Sequence, residues 1–253
     1  MRLGRLLLSV PIAALVVAGC TGSSGPKASG VKLIDEDAGQ FELVSPSGQL
    51  CIVDVTDPSL ISRQAKASDV LLVTQGHHIN QGYVDSFPGQ KIVIKPGSLT
   101  AGDFRVTAVA AAHEPVDIDQ ANPTDVIYVV EVAGLRFAFF GEIGQYHLDV
   151  DQAKAIGRVD VLVSQLFNIN SGMTAATENG ITLVTQVDPN LFVPTYIDNG
   201  TAQIAASSWT GTWSESNRIT LKAGALPPKV TFVLMGASNA SYGPVLNLPK
   251  AKF

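Results

Sequence analysis

Polar residues that directly follow apolar, strand-like runs are where loop chemistry gathers, and four such places stand out. Thr74-Gln75-Gly76-His77-His78-Ile79-Asn80 follows the run that ends at Val73, and Ala112-His113-Glu114 follows the run that ends near Ala110. Gly141-Glu142-Ile143-Gly144 follows Phe140, and Val193-Pro194-Thr195-Tyr196 closes a later run. If these loops share one sheet edge, they bring together imidazoles, carboxylates, an amide and a phenol, a set suited to holding an ion or moving a proton. Other chemistries have less to stand on. Ser164, Ser207 and Ser208 lack a histidine and aspartate in any recognisable nucleophile motif. No phosphate-binding glycine loop or dinucleotide fingerprint occurs in the sequence. His78 alternates away from His77 and reads as packed or exposed, while His147 stands where a helix begins and reads as a cap. Trp209 and Trp213, four apart among small polar residues, read either as a binding surface or as one ring in the core and one on its rim.

The elements that must position these loops are mostly strands. Charged residues make up 15% of the chain, against a usual figure of about 25%, and the apolar runs are short and β-branched. Phe41 to Val44 and Leu50 to Asp54 flank a Ser45-Pro46-Ser47-Gly48 turn and open the domain as a hairpin. Further strands are expected at Val70 to Val73, Phe104 to Val109, Val126 to Val132, Arg136 to Phe140, Val159 to Val163 and Leu191 to Pro194. Helices are expected over Pro58 to Ala67, Leu148 to Gly157 and Ala175 to Val187, where the apolar spacing widens. Hairpins followed by strands alternating with helices predict an α/β (α+β) domain of two mixed sheets with helices outside. Cys51, inside Leu50-Cys51-Ile52-Val53, reads as a small buried hydrophobe.

The first residues read as an export address. Arg2 and Arg5 precede an apolar stretch from Leu6 to Val17, too short to span a bilayer comfortably and broken by Pro11. Val17-Ala18-Gly19-Cys20 resembles the lipobox of bacterial lipoproteins, which implies a diacylglyceryl group on Cys20 and cleavage before it. This divides the chain into a signal peptide (1–19), a lipidated cysteine with flexible tether (20–30), a folded domain (31–235) and a C-terminal extension (236–253), draped on the surface or partly loose. Of 17 basic residues the leader takes two, against 22 acidic ones, so the mature net charge is near −7. That balance, with no Lys/Arg cluster, argues against nucleic acid and leaves the anchor as the membrane contact.

The body from residue 31 to 208 resembles the metallo-β-lactamase superfamily, in particular the ascorbate-phosphate-lactonase-like branch of metal-dependent hydrolases. The scaffold segments that carry the resemblance are Asp69 to Thr74, Val126 to Glu131, Gly134 to Gly141, Ile156 to Leu162 and Val193-Pro194. It implies a four-layer αββα sandwich. It also implies a two-metal centre in which His-x-His-x-Asp-His, a lone downstream His, a Gly-Asp turn and a Pro-x-His loop supply ligands. Here the pattern departs. Gln75 stands at the first His, His77 keeps the second, Ile79 replaces the Asp and Asn80 the last His. His113 keeps the lone His, Glu142 replaces the bridging Asp, and Tyr196 replaces the final His.

Ile79, Asn80 and Tyr196 are not good zinc ligands at neutral pH, so the second metal position is expected to be lost, along with a carboxylate that would orient water. The first position leaves two readings. His77, His113 and Glu142, with Gln75 as a weaker donor, can form a mononuclear site for zinc, iron or manganese that hydrolyses a small ester, lactone or phosphoester. Alternatively His77 and His113 sit in a former site filled by side chains, no metal is held, and the mouth serves a small-molecule or protein partner without catalysis. The second is the expectation adopted.

Overall fold

The computed structural model describes residues 30–37 and 39–251; the export segment, Cys20 and the tether up to residue 29 lie outside the described residues. β1 (Val31–Asp35), β2 (Phe41–Val44) and β3 (Leu50–Val53) form an antiparallel meander, and β4 (Val70–Val73) and β5 (Gln90–Val93) extend it in parallel. The helix expected over Pro58 to Ala67 is absent. Asp57 caps one 3-10 turn, Pro58–Leu60, and the chain beyond it is held instead by Arg63, which bonds the carbonyls of Gly48 and Gln64 and the Asp69 carboxylate. The apolar residues that suggest a helix, Ile61 and Ala65, pack on the outer face of the first sheet.

The second sheet begins with the antiparallel strands β6 (Gly97–Ala101), β7 (Phe104–Ala111), β8 (Asp125–Val132) and β9 (Leu135–Phe139). It continues in parallel through β10 (Val161–Gln165), β11 (Leu191–Thr195), β14 (Thr231–Met235) and β12 (Thr210–Ser214). β10 starts later than the spacing suggests, because Asp160 turns its carboxylate onto the Arg136 N–H at 2.8 Å. β13 (Arg218–Leu221) leaves the second half of the chain to close the first sheet against β1, giving the orders β13-β1-β2-β3-β4-β5 and β12-β14-β11-β10-β9-β8-β7-β6.

Strand alternation separates the layers. Cys51 and Val53 of β3 face the inter-sheet core with Phe41, Tyr128 and Phe139, while Leu50 and Ile52 face outward. The outer side of the first sheet is covered by α1 (Gln81–Ser86) through Val84 and the adjoining Phe87. The outer side of the second is covered by α2 (Val150–Ile156), α3 (Asn179–Val187) and α4 (Asn199–Ser208) through Ile156, Leu183, Val184, Ala202 and Ala205. Two mixed sheets face to face with helices on both outer sides make the expected four-layer αββα sandwich. α3 begins later than Ala175 because Thr174 and Thr177 bond each other's backbone N–H groups and close a turn first. Asp149 caps α2 in a capping box with Gln152, so His147 is not the cap; its carbonyl instead accepts from Gln145 at 2.7 Å. The stretch after β14 forms α5 (Gly236–Ala240) and α6 (Tyr242–Val245) and is clasped to Trp213, whose indole N–H donates to the Leu248 carbonyl at 3.0 Å and whose own carbonyl accepts from the Ala251 N–H at 2.7 Å. Trp209 sits edge-on to Phe192. Among the described residues no helix is long and apolar enough to cross a membrane.

Candidate functional site

The loops that follow β3, β4, β7, β9 and β11 meet at one end of the sandwich, so the four strand-end segments share a site. A cavity of about 450 Å³, open mouth included, lies between the two sheets there. Its floor is apolar, from Phe41, Val53, Phe139 and Val163, and its walls carry Asp54, Gln75, His77, Glu142, Thr195 and Tyr196.

The positions that depart from the two-metal pattern have other work. Asn80 caps α1, its side chain accepting from the Tyr83 N–H at 3.0 Å. Ile79 packs against the outer apolar cluster of the first sheet. Gln75 is buried and folds its amide back onto its own loop, donating to the His77 carbonyl at 2.6 Å and accepting from the His77 N–H. Tyr196 donates its phenol proton to Glu142 Oε1 at 3.2 Å.

His113 is brought to the same place but below the mouth. Its ring lies 5.1 Å from that of His77, and its Nδ1 is 2.9 Å from the Glu142 carbonyl and 4.0 Å from Glu142 Oε2. A carbonyl only accepts, so Nδ1 carries a proton and Nε2 is the nitrogen left for other work. His77, His78 and Tyr196 are exposed at the rim. Among the described residues, no group of three His, Cys, Asp or Glu side chains is disposed to hold a metal ion.

Beneath this layer lies a buried acidic pair that the strand-end reading of the sequence misses. Asp54, directly after β3, accepts from the Thr74 N–H and hydroxyl, each at 2.7 Å. Burial outweighs those bonds and pushes its carboxyl up to about 7, with the Glu142 charge adding to the shift. Asp125, at the start of β8, is fully buried, and neither of its oxygens has a hydrogen-bond donor in bonding geometry. Burial, then the charge of Asp54, raise its pKa well above the ordinary range, while the N–H groups of Val126 and Glu142 pull the other way. Gly141 makes room for this pair: it has φ +58°, and a Cβ there would stand 2.3 Å from Thr74 Oγ1 and 3.0 Å from Asp125 Oδ1. A signal for both acids is available in the sequence, because a carboxylate abutting a fully apolar run must be paired or neutral once the run is buried.

Three of the cavity residues, Asp54 (φ 52°), His78 (φ 59°) and Tyr196 (φ 46°), hold left-handed backbone without being glycine. Such strain costs on the order of 1–2 kcal/mol per residue and gathers where a protein has something to position.

Comparisons with known proteins agree on the frame. The family described as a beta-lactamase superfamily domain matches residues 41–196, more than half of the chain. Among solved structures, the chain is similar to a proposed zinc-dependent hydrolase of the metallo-beta-lactamase superfamily from Thermotoga maritima, at 17% identity and TM-score 0.60 over 81% of this chain and 98% of that one. It is also similar to the metallo-beta-lactamase fold protein YhfI from Bacillus subtilis, at 10% identity and TM-score 0.50 over 83% and 98%. At these identities the likeness is one of fold. No curated protein matches significantly.

Proposed function

The chain belongs to the metallo-β-lactamase superfamily, and from that premise we propose that it is an exported lipoprotein, anchored through lipid on Cys20, whose domain binds a ligand at the former active-site mouth without metal-hydroxide chemistry. One observation carries the second half of this reading. The residues at the altered positions are built into the structure: Asn80 is a helix cap, Ile79 is packed, the Gln75 amide is closed on its own loop and Tyr196 is bonded to Glu142. A two-metal centre needs imidazoles and carboxylates at those points, and these side chains do not fit one.

What the cavity keeps is a binding shape. It has an apolar floor, a few convergent polar groups and rim residues held in strained backbone, the features of a site kept for a ligand.

Elemental analysis of the full chain, purified in detergent without chelator, tests this against the double change His77→Ala, His113→Ala. The expected result is far less than one metal per chain in both proteins and melting curves unmoved by chelator. Close to one zinc, iron or manganese per chain, lost in the double variant, would instead establish a mononuclear hydrolase centred on His77, His113 and Glu142.

A further inference from the structure

The walls of the cavity hold two carboxylates, Asp54 and Glu142, and among the described residues that line it there is neither a lysine nor an arginine. The shallower cleft beside it shares His78, Glu142 and Tyr196, adds Asp198, and is likewise lined, among the described residues, without a lysine or arginine. The two concavities are therefore acidic as a unit. The Tyr196 phenol registers this: burial raises its pKa first, and the charges of Glu142, Asp54 and Asp37 raise it further.

An anionic ligand entering here would lose its hydration and meet like charge with no cation to replace it. A cation meets the reverse. Glu142 is nearly buried, with its side chain 12% exposed; its Oε1 accepts from Tyr196, while Oε2 lies 4.0 Å from His113 Nδ1, outside hydrogen-bond reach. One carboxylate oxygen at the wall is thus open to a donor from the ligand, and a charge-assisted bond there is the strong kind. Below it the Phe41 and Phe139 rings, centroids 6.1 Å apart, offer an apolar floor that a hydrated inorganic ion cannot use.

Resting on the binding reading above, we infer that the site takes an organic cation, an ammonium group on an apolar body, with the ammonium at Glu142 and the body over Phe41 and Phe139. The anionic esters and phosphoesters that a metal centre would accept are excluded by the same charges.

Isothermal titration of the full chain at pH 8, where histidine side chains carry little charge, tests this with three probes of one shape: phenethylammonium, 2-phenylethanol and 3-phenylpropionate. Phenethylammonium should bind at least ten-fold more tightly than the alcohol, and the carboxylate should not bind. Glu142→Gln should weaken the amine at least ten-fold. His78→Lys, at an exposed rim position that keeps its fold, should weaken the amine and favour the carboxylate. Equal affinity of the amine for wild type and Glu142→Gln, tighter binding of the carboxylate without metal, or no binding of any probe would each overturn the inference and leave the metal-free reading standing. Carboxylate binding that appears only with added zinc, and vanishes in His77→Ala, would sink both.

Discussion

Replacing Asp54 by Asn should change how stability depends on pH more than it changes stability itself. The Asp54 carboxyl moves from its ordinary 3.8 to about 7 on folding, mainly because burial disfavours its charge. The folded state therefore holds a proton between about pH 4 and pH 7 that the unfolded chain has released, so wild-type stability rises as pH falls through that window. Each pH unit contributes about 1.4 kcal/mol, so Asp54 alone accounts for about 3 kcal/mol between about pH 7.5 and 4.5. Asn has the same shape. Its carbonyl keeps the Thr74 N–H bond and its amide donates to the Thr74 hydroxyl, which turns to accept. Near pH 4.5 the variant should match wild type, and near pH 8 it should be the more stable by about 3 kcal/mol. Asp35, also pushed up to about 7 by burial, gives both proteins a shared slope of the same sign. Urea unfolding followed by circular dichroism at pH 4.5, 6 and 8 reads the difference directly. If the two curves stay parallel across that range, Asp54 is ionised at neutral pH and the account of the acidic pair is wrong.

Other outcomes follow from single contacts. Arg63→Ala removes the bidentate partner of the fully buried Asp69 carboxylate (2.6 and 2.8 Å) and should cost about 3 kcal/mol in urea unfolding. Burial pushes the Asp69 pKa up, but Arg63 and the Leu50 and Lys66 N–H groups more than reverse this, so its contribution should fade only as pH drops below about 4. Gly141→Ala places a methyl against Thr74 and Asp125 at a left-handed φ and should lower stability by roughly 2–4 kcal/mol, seen as a shift of the urea midpoint. Gly243→Val collides with the Trp213 ring and should free the C-terminal segment, measured as faster amide exchange over residues 242–251 and a red-shifted Trp213 emission. Cys20→Ser should abolish incorporation of labelled palmitate and move the protein from the detergent phase to the aqueous phase.

Much of the frame is legible because buried strands leave a plain pattern. Leu50 to Val53, Val70 to Val73 and Val126 to Val132 are apolar runs bounded by turn residues, and all are strands. β5 and β6 leave no such mark. They sit at the outer edges of the two sheets, with Gln90, Lys91, Gly97 and Ser98 exposed, and an edge strand satisfies only half its backbone and needs few apolar side chains. The segment after Pro58 misleads for the opposite reason: Ile61 and Ala65 have helical spacing, yet Arg63 ties that chain to Gly48 and Asp69 as an irregular cover. At the site, the loops are legible and their partners are not. That Asn80 caps a helix and that Gln75 closes on His77 are matters of local geometry that residue type alone leaves open. The acidic pair is harder still. The Val126 N–H donates to the Thr74 carbonyl at 2.9 Å, and this bond between distant stretches of chain sets Asp125 beside Thr74 and Asp54, a proximity that no local pattern announces.

The way the chain enters the domain has a mechanical side. β1 begins at Val31, directly after the tether, and it is not an edge strand: Val31 to Ile34 pair with Leu221 to Arg218 on one side, and Lys32 to Asp35 pair with Val44 to Phe41 on the other. A pull on residue 30 is therefore shared by two ladders, one local and one to a strand from the far end of the sequence. The domain cannot peel off its tether strand by strand; it yields only when the first and last parts of the sandwich part together.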